Sequence, residues 1–305
     1  MREPTVAFVG LAHTHPWFDA PCLRRAGARL SGVWDPDAAD RSAFARRFDI
    51  PEFEELSALL ADEPDVAVVT VPPIAAPPVA RTLARRGIAS FFNKTVGVNM
   101  ASFDAWSCSG DAPRTTSSVL RFAPAIIDLG WQLRTRRVHS IDIFVHHDIR
   151  PYLKPSRRWQ DDPEGAGGTL MNVGIHAWEI LDVLRPGVRV RIDHAWRTDG
   201  GVATLSELAA GGIGSDVDSE TSVSVTVSGT PGPQRFHVRA ITDHGVAELT
   251  VAGHPADLGF DGISAAILRL ARTRRDLADP SRVRSVYANA FTLAVSARAV
   301  PQRFA

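Results

Sequence analysis

Thr5-Val-Ala-Phe-Val9 is followed by Gly10-Leu11-Ala12-His13-Thr14-His15. A short apolar run stopped by glycine reads as a buried strand entering a strand-to-helix turn. The pattern recurs downstream. Arg29-Leu-Ser-Gly-Val-Trp34 predicts a second strand, and Asp35-Pro36-Asp37 after it is a turn and helix-start signal. Ala38 to Phe48 reads as a helix. Asp65-Val-Ala-Val-Val-Thr-Val71 is another buried strand, stopped by Pro72-Pro73. Val79 to Arg86 is a helix closed by Gly87, and Ile88 to Phe92 is a further strand. Apolar strands separated by helices imply parallel pairing, right-handed crossovers and a sheet covered on both faces.

The pattern changes after about residue 120. Val138 to His146, Val188 to Thr198, Ser222 to Ser228, Gln234 to Thr242 and Val246 to Val251 read as antiparallel strands. Gly168 to Leu184 reads as one helix and Arg284 to Ala299 as the last. Gly200-Gly201 and Gly211 to Asp218 read as loops. The expected fold is α/β: an N-terminal Rossmann-type, doubly wound parallel sheet over 1–120, then an α+β domain with a largely antiparallel sheet over 121–305.

Composition narrows the function. The 305 residues are 45% hydrophobic and 22% charged, which suits a globular protein with a real core. Lys plus Arg and Asp plus Glu each total 34, and a nucleic-acid binder would show a basic excess. The basic clusters Arg134-Thr135-Arg136-Arg137 and Arg157-Arg158 read as solvated loops and helix ends. Cys22 and Cys108 can build neither a disulfide framework nor a thiolate metal site. No signal peptide or apolar span long enough for a bilayer is visible, so the expected setting is cytoplasmic, without membrane partners.

Gly10 to His15 occupies the place of a dinucleotide fingerprint, whose ideal G-x-G-x-x-G lets the backbone approach a pyrophosphate at a helix N-terminus. Only the first glycine remains. Ala12 stands at the second position and His15 at the third, with His13 and Thr14 between them. Ala12 adds a methyl group where the diphosphate passes, and His15 adds bulk where helix and strand pack. Asp35 ends the second strand, near where an acid takes the ribose hydroxyls of NAD and repels the 2′-phosphate of NADP. The competing role for Asp35 is to cap the next helix.

Three further segments resemble the Gfo/Idh/MocA family of NAD(P)-dependent oxidoreductases. Thr70-Val71-Pro72-Pro73 resembles its T-P-P segment, and Asn93-Lys94-Thr95 stands where it carries E-K-P. Gly167-Gly168-Thr169-Leu170-Met171-Asn172-Val173-Gly174-Ile175-His176 resembles G-G-x-x-x-D-x-G-x-H. The resemblance implies cofactor contacts from Gly10, Ala12, His13, Thr14, His15, Asp35, Thr70, Pro72 and Asn93, with NAD favoured over NADP. It implies that Lys94 contacts substrate and often the nicotinamide edge, that His176 is the acid/base histidine, and that Asn172 stands at the family's aspartate. On one continuous helix, positions 172 and 176 would share a face. The sequence departs from the family at Asn172, which cannot ionise usefully, at Thr95 in place of proline, and at Ala76 near a frequent histidine.

The resemblance implies hydride transfer to or from a hydroxyl, ketone or imine of a small polar substrate such as a sugar or cyclitol derivative. Arg121, Arg157, Arg158 and Trp159 are candidates for the substrate side. A homodimer or homotetramer through the second-domain sheet is the expected assembly. The alternatives are a binding protein with a degenerate nucleotide pocket, or a metal-dependent hydrolase or lyase. In the latter, His13 and His15, with His146, His147, Asp148 and His176, would ligate zinc.

Overall fold

The computed structural model describes residues 2–198, 209–255, 257–276 and 278–300. In chain order the first elements are β1 (Thr5–Val9), α1 (His15–Arg25), β2 (Arg29–Trp34), α2 (Ala38–Phe48), β3 (Glu52–Phe53) and α3 (Leu56–Leu59). They continue with β4 (Val66–Val69), α4 (Ala76–Arg85), β5 (Ala89–Asn93), α5 (Met100–Ser107) and β6 (Arg114–Ser117). All six strands run parallel in the order β3-β2-β1-β4-β5-β6. That is the doubly wound order of a dinucleotide-binding sheet, whose ligands bind at the carboxyl ends of the strands where the order reverses. Every residue of β1, β4 and β5 is buried, as strands covered by helices on both faces must be.

The next elements are α6 (Pro124–Leu133), β7 (Val138–His146), α7 (Gly168–Asn172), α8 (Ile175–Leu184), β8 (Val190–Thr198) and β9 (Ala209–Asp216). Then come β10 (Ser222–Ser228), β11 (Arg235–Thr242), β12 (Gly245–Ala252), α9 (Phe260–Thr273), α10 (Pro280–Ser296) and β13 (Arg298–Val300). The second sheet has the order β12-β11-β7-β10-β9-β8-β13. It is antiparallel except for β7 with β10 and β8 with β13, so the expected largely antiparallel sheet is present. Its strands bury alternate residues, among them Ile141, Ile143 and Val145, Val223, Val225 and Val227, and Phe236 and Val238. Among the described residues no helix is long and apolar enough to cross a membrane.

Contacts divide the chain into two compact units. One holds Met1–Gly97, Ala101–Ser117 and Phe260–Asp279; the other holds Val98–Met100, Ser118–Gly259 and Pro280–Ala305. A division at 120 and 121 puts Phe260–Asp279 in the other unit. Instead α9 packs on α1 in the first unit, through Phe260 against His15 and Phe18 and an Arg25–Asp261 ion pair.

Three further readings are corrected. Gly211 to Asp218 is mostly strand, not loop. Its glycines let neighbouring chains approach: a Cβ at Gly211 would lie 2.7 Å from the Val225 carbonyl oxygen, and one at Gly214 would lie 2.1 Å from that of Arg191. The expected helix from Gly168 to Leu184 is two, α7 and α8, separated at Val173-Gly174. The turn between them is tight, since a Cβ on Gly174 would stand 2.0 Å from the Leu170 carbonyl oxygen. The last helix begins at Pro280, suited to a first helical turn, and ends at Ser296 because Arg298–Val300 pairs with β8. Gly200-Gly201 lies outside the described residues.

Candidate functional site

In the first unit the carboxyl ends of β1, β2 and β4 are laced together by backbone hydrogen bonds. Gly10 N–H donates to the Trp34 carbonyl at 2.8 Å, and Ala12 N–H donates to that of Thr70 at 3.0 Å. Gly10 has φ of +86°, and a Cβ there would lie 2.6 Å from both the Thr70 carbonyl oxygen and Val71 Cγ1. The first fingerprint glycine is therefore required twice over, by its left-handed backbone and by the close approach. Gly10→Ala is expected to lower stability by about 1–3 kcal/mol, the scale of such backbone strain, and to weaken dinucleotide binding. Denaturation and NADH titration check this; unchanged stability and affinity would refute it.

The third glycine is absent without a clash. The His15 ring turns toward α9, 5.6 Å from Phe260 and 5.0 Å from the His13 ring, rather than between helix and strand. Thr14 is the N-cap residue of α1 but makes no side-chain cap bond, and a proline lies in the first turn. The role of capping α2 falls to Asp37, whose carboxylate accepts from Ala39 and Asp40 N–H. Asp35 instead accepts from Leu11 N–H at 2.5 Å and from Asp37 N–H at 2.7 Å, which ties the β2 end to the fingerprint turn. Burial raises its pKa, opposed by those two backbone donors.

Thr70 follows β4, with Oγ1 buried and lacking a hydrogen-bond partner. Pro72 leads into the 3₁₀ turn Pro73–Ala75. Asn93 ends β5, and its Oδ1 and Nδ2 are likewise buried without partners. Buried amides are nearly always hydrogen-bonded, so orphaned atoms at the carboxyl end of a parallel sheet mark a place for a polar ligand. Lys94 follows at 5% exposure, and burial pushes its pKa down to about 7. A lysine poised there can hold or release a proton near neutrality.

In the second unit Ser118, Arg121 and α8 form one cluster. Ser118 caps the 3₁₀ turn Val119–Phe122, its Oγ accepting from Leu120 N–H at 3.1 Å. The same Oγ lies 2.6 Å from His176 Nδ1. The His176 ring also packs edge-on against Phe236, with centroids 5.5 Å apart. Arg121 donates to Glu179 Oε2 at 2.5 Å and to Asp182 Oδ2 at 2.6 Å. His176, Glu179 and Asp182 follow one another at three-residue spacing, so they line one face of α8. Burial raises the Glu179 pKa, with Arg121 and the Ser118 backbone N–H opposing. Arg121 thus serves this cluster; the expectation that it lines a substrate surface gives way to an internal ion-pair role.

Asn172 ends α7, and its Nδ2 donates to Tyr152 Oη at 3.3 Å and Gln160 Oε1 at 3.2 Å. Because α7 stops at Asn172, the helical spacing that would set it beside His176 does not apply. Trp159 and Arg157 are half-buried and Arg158 exposed on the 3₁₀ turn Pro155–Gln160. Of the residues in the zinc reading, His146 Nδ1 is 3.1 Å from Ser228 Oγ, and Asp148 is paired with Arg150. Among the described residues no group of three or more His, Cys, Asp or Glu is arranged to hold a metal ion. Sequence reading missed Ser118 and Glu179. Their signals were a serine just before an apolar turn and the spacing His-x-x-Glu-x-x-Asp.

These features define a protein with a dinucleotide-binding sheet and a second α+β unit. Residues 5–105 match the model of the Gfo/Idh/MocA oxidoreductase family, NAD-binding Rossmann fold. A relative from Amycolatopsis mediterranei (strain S699) bears the provisional name UDP-kanosamine synthase oxidoreductase subunit. It is 31% identical over 197 residues, covering 58% of this chain and 50% of the relative. The chain thus spans about half the length of the curated relative it matches. Among solved structures, GenD2 from gentamicin A biosynthesis, in complex with NAD, superposes with a TM-score of 0.83 at 17% identity, over 97% of this chain and 94% of that one. The myo-inositol 2-dehydrogenase of Lactobacillus plantarum gives 0.80 at 10% identity, over 96% of each chain. The UDP-N-acetylglucosamine 3-dehydrogenase GnnA of Acidithiobacillus ferrooxidans gives 0.74 at 17% identity, over 97% and 98%. At these identities the structures establish a shared fold.

Proposed function

We propose that the protein is an NAD-dependent oxidoreductase that interconverts a secondary hydroxyl and a ketone on a sugar or cyclitol derivative. The observation that carries this reading is the pair at the end of β5: Asn93, with its orphaned amide, followed by the buried Lys94. The residues present fit a dinucleotide. Thr70 Oγ1 and Asn93 offer buried polar atoms at the carboxyl ends of β4 and β5. A nicotinamide held there would supply or accept the hydride. Ala12, His13, Thr14, His15 and Pro72 would line the same turn region, and Asp35 would face the adenosine ribose.

Lys94 would exchange the proton of the reacting hydroxyl, and His176 keeps the acid/base role that the family resemblance implies. Asn172 would orient substrate through neutral hydrogen bonds, since it offers no charge. The substrate class is supported by the names of the relatives, which concern UDP-kanosamine, UDP-N-acetylglucosamine and myo-inositol. The reading extends to a cytoplasmic homodimer or homotetramer built through the second sheet. That sheet carries the half-exposed Phe144 between Thr226 and His237 in register. The test is nicotinamide absorbance with purified protein, NAD or NADH, and a panel of UDP-hexoses and cyclitols or their ketones. Absence of any NAD(H) binding would overturn the reading.

NADH should bind more tightly than NADPH, because the Asp35 carboxylate would repel a 2′-phosphate. Paired fluorescence titrations measure the preference, and Asp35→Ser should narrow it. Equal affinities in the parent would remove this argument.

A further inference from the structure

We propose that Asp19 is a proton-operated latch in the seam between α1 and α9, closed while its carboxyl is neutral and loosened when it ionises. Its effect on the cofactor rests on the nicotinamide reading above; its effect on the seam does not.

Helical spacing places the residue. His15, Phe18 and Arg25 are residues of α1 that meet α9. Pro16, Ala20 and Leu23 form another buried stripe of the same helix. At 3.6 residues per turn Asp19 falls between the two stripes, and it is 1% exposed. On α9, Phe260 and Asp261 make those contacts with α1. Ser264 lies one turn further on the same face and is fully buried. The seam therefore encloses two polar side chains within apolar packing. Asp19 Oδ1 and Ser264 Oγ are both buried without a hydrogen-bond partner.

Among the described residues no cation offsets a charge on Asp19; burial alone shifts it. On α1 itself, Arg25 pairs with Asp261 and donates to Cys22 Sγ at 3.1 Å, Arg24 donates to the Phe48 carbonyl, and the His15 ring turns to Phe260. On α9, Arg269 and Arg272 are exposed, as is Arg29 on β2. On α2, Arg41 donates to the Asp35 carbonyl at 2.9 Å, while Asp40, Arg46 and Arg47 are exposed. Strands β1 and β4 carry no ionisable side chain.

A buried carboxylate without a partner is far costlier than the neutral acid. Burial raises the Asp19 pKa to about 8, so the folded chain keeps this proton at neutrality. The unfolded chain releases it at the ordinary value of 3.8. Between those values the folded state binds one proton more. Stability from this group is full below 3.8, falls as pH rises across the window, and is lost above about 8. The charge then stands inside the seam, where its hydration separates α1 from α9. Because α1 begins at His15, directly after the fingerprint turn, a loosened α1 unsettles that turn as well.

The test is carboxyl ¹³C NMR of the full-length protein across pH, with Asp19 assigned by its loss in Asp19→Asn. The Asp19 carboxyl should titrate near pH 8. Denaturant unfolding gives a second readout. The unfolding constant of the parent relative to Asp19→Asn should grow by about tenfold per pH unit inside the window, the slope of one linked proton. Hydrogen exchange in α1 and α9 should show the seam opening at high pH in the parent and not in Asp19→Asn. NADH affinity should fall through the same range in the parent alone. Titration of Asp19 in the ordinary carboxyl range would overturn the proposal. A stability difference that does not change with pH would overturn it as well. Should Asp19→Asn fail to fold, Asp19→Ser supplies the assignment and the parent titration decides. The expected titration with no NADH binding at any pH would sink the oxidoreductase reading while leaving the latch standing.

Discussion

Lys94→Ala is expected to lower turnover by about 10²–10⁴, the usual contribution of general acid–base catalysis, without unfolding the protein. The lysine is buried at the end of β5, and desolvation brings its pKa down to about 7. In the direction of hydroxyl oxidation the neutral amine is the active form, so kcat/KM should rise through about pH 7 and then level. The variant should lose that limb as well as the rate. The same shift gives a stability test whose sign is fixed. Between about 7 and 10.5 the unfolded chain holds a proton on this lysine that the folded chain does not. Stability from this group therefore rises with pH across that window and is lowest below it. Lys94→Met, which removes the burial penalty on the cation, should stabilise the fold most below about pH 7, with the gain vanishing above 10.5. Steady-state rates and melting curves across pH check both halves. Retained activity in Lys94→Ala would reduce the residue to a packing role.

Arg121→Ala is expected to destabilise the second unit by about 3–5 kcal/mol, the range for removing one member of a buried ion pair. Arg121 donates to Glu179 and Asp182, whose side chains are 1% and 2% exposed. Asp182 keeps a second cation, since Arg282 lies 2.8 Å away. Glu179 would keep the Ser118 N–H but lose its Arg121 cation. The loss should therefore centre on Glu179, and Arg121→Ala with Glu179→Gln should recover part of it. Denaturant unfolding followed by tryptophan fluorescence measures this. A loss below about 1 kcal/mol would place the pair with weak, solvent-screened ones. Because Ser118 lies on the same turn, the variant should also loosen the His176 ring.

The alternation of buried strands and helices from Thr5 to Phe92 was enough to expect a parallel, doubly wound sheet in the first unit. The strand ends then carried Gly10, Asp35, Thr70 and Asn93 to one edge of the sheet. Local pattern determines such elements, and chirality leaves few ways to connect parallel strands. Gly10 could be read for the same reason: a turn that requires positive φ leaves its mark in one residue.

What the sequence alone could not decide was which partner each polar or apolar group takes. Helix α9 has an apolar stripe through Phe260, Ile263, Ile267 and Leu270, yet nothing local says that it returns to pack on α1. Gly211, Gly212 and Gly214 resemble a loop until β8 and β10 close on them. Arg121 resembles a substrate contact until Glu179 and Asp182, far along the chain, surround it. The spacing of Asn172 and His176 implies one helical face until the turn at Gly174 divides the helix. Periodicity reports the faces of one element, because it arises from backbone geometry repeated along the chain. Burial and ion pairing depend on groups brought together from distant positions, and only the tertiary structure supplies those.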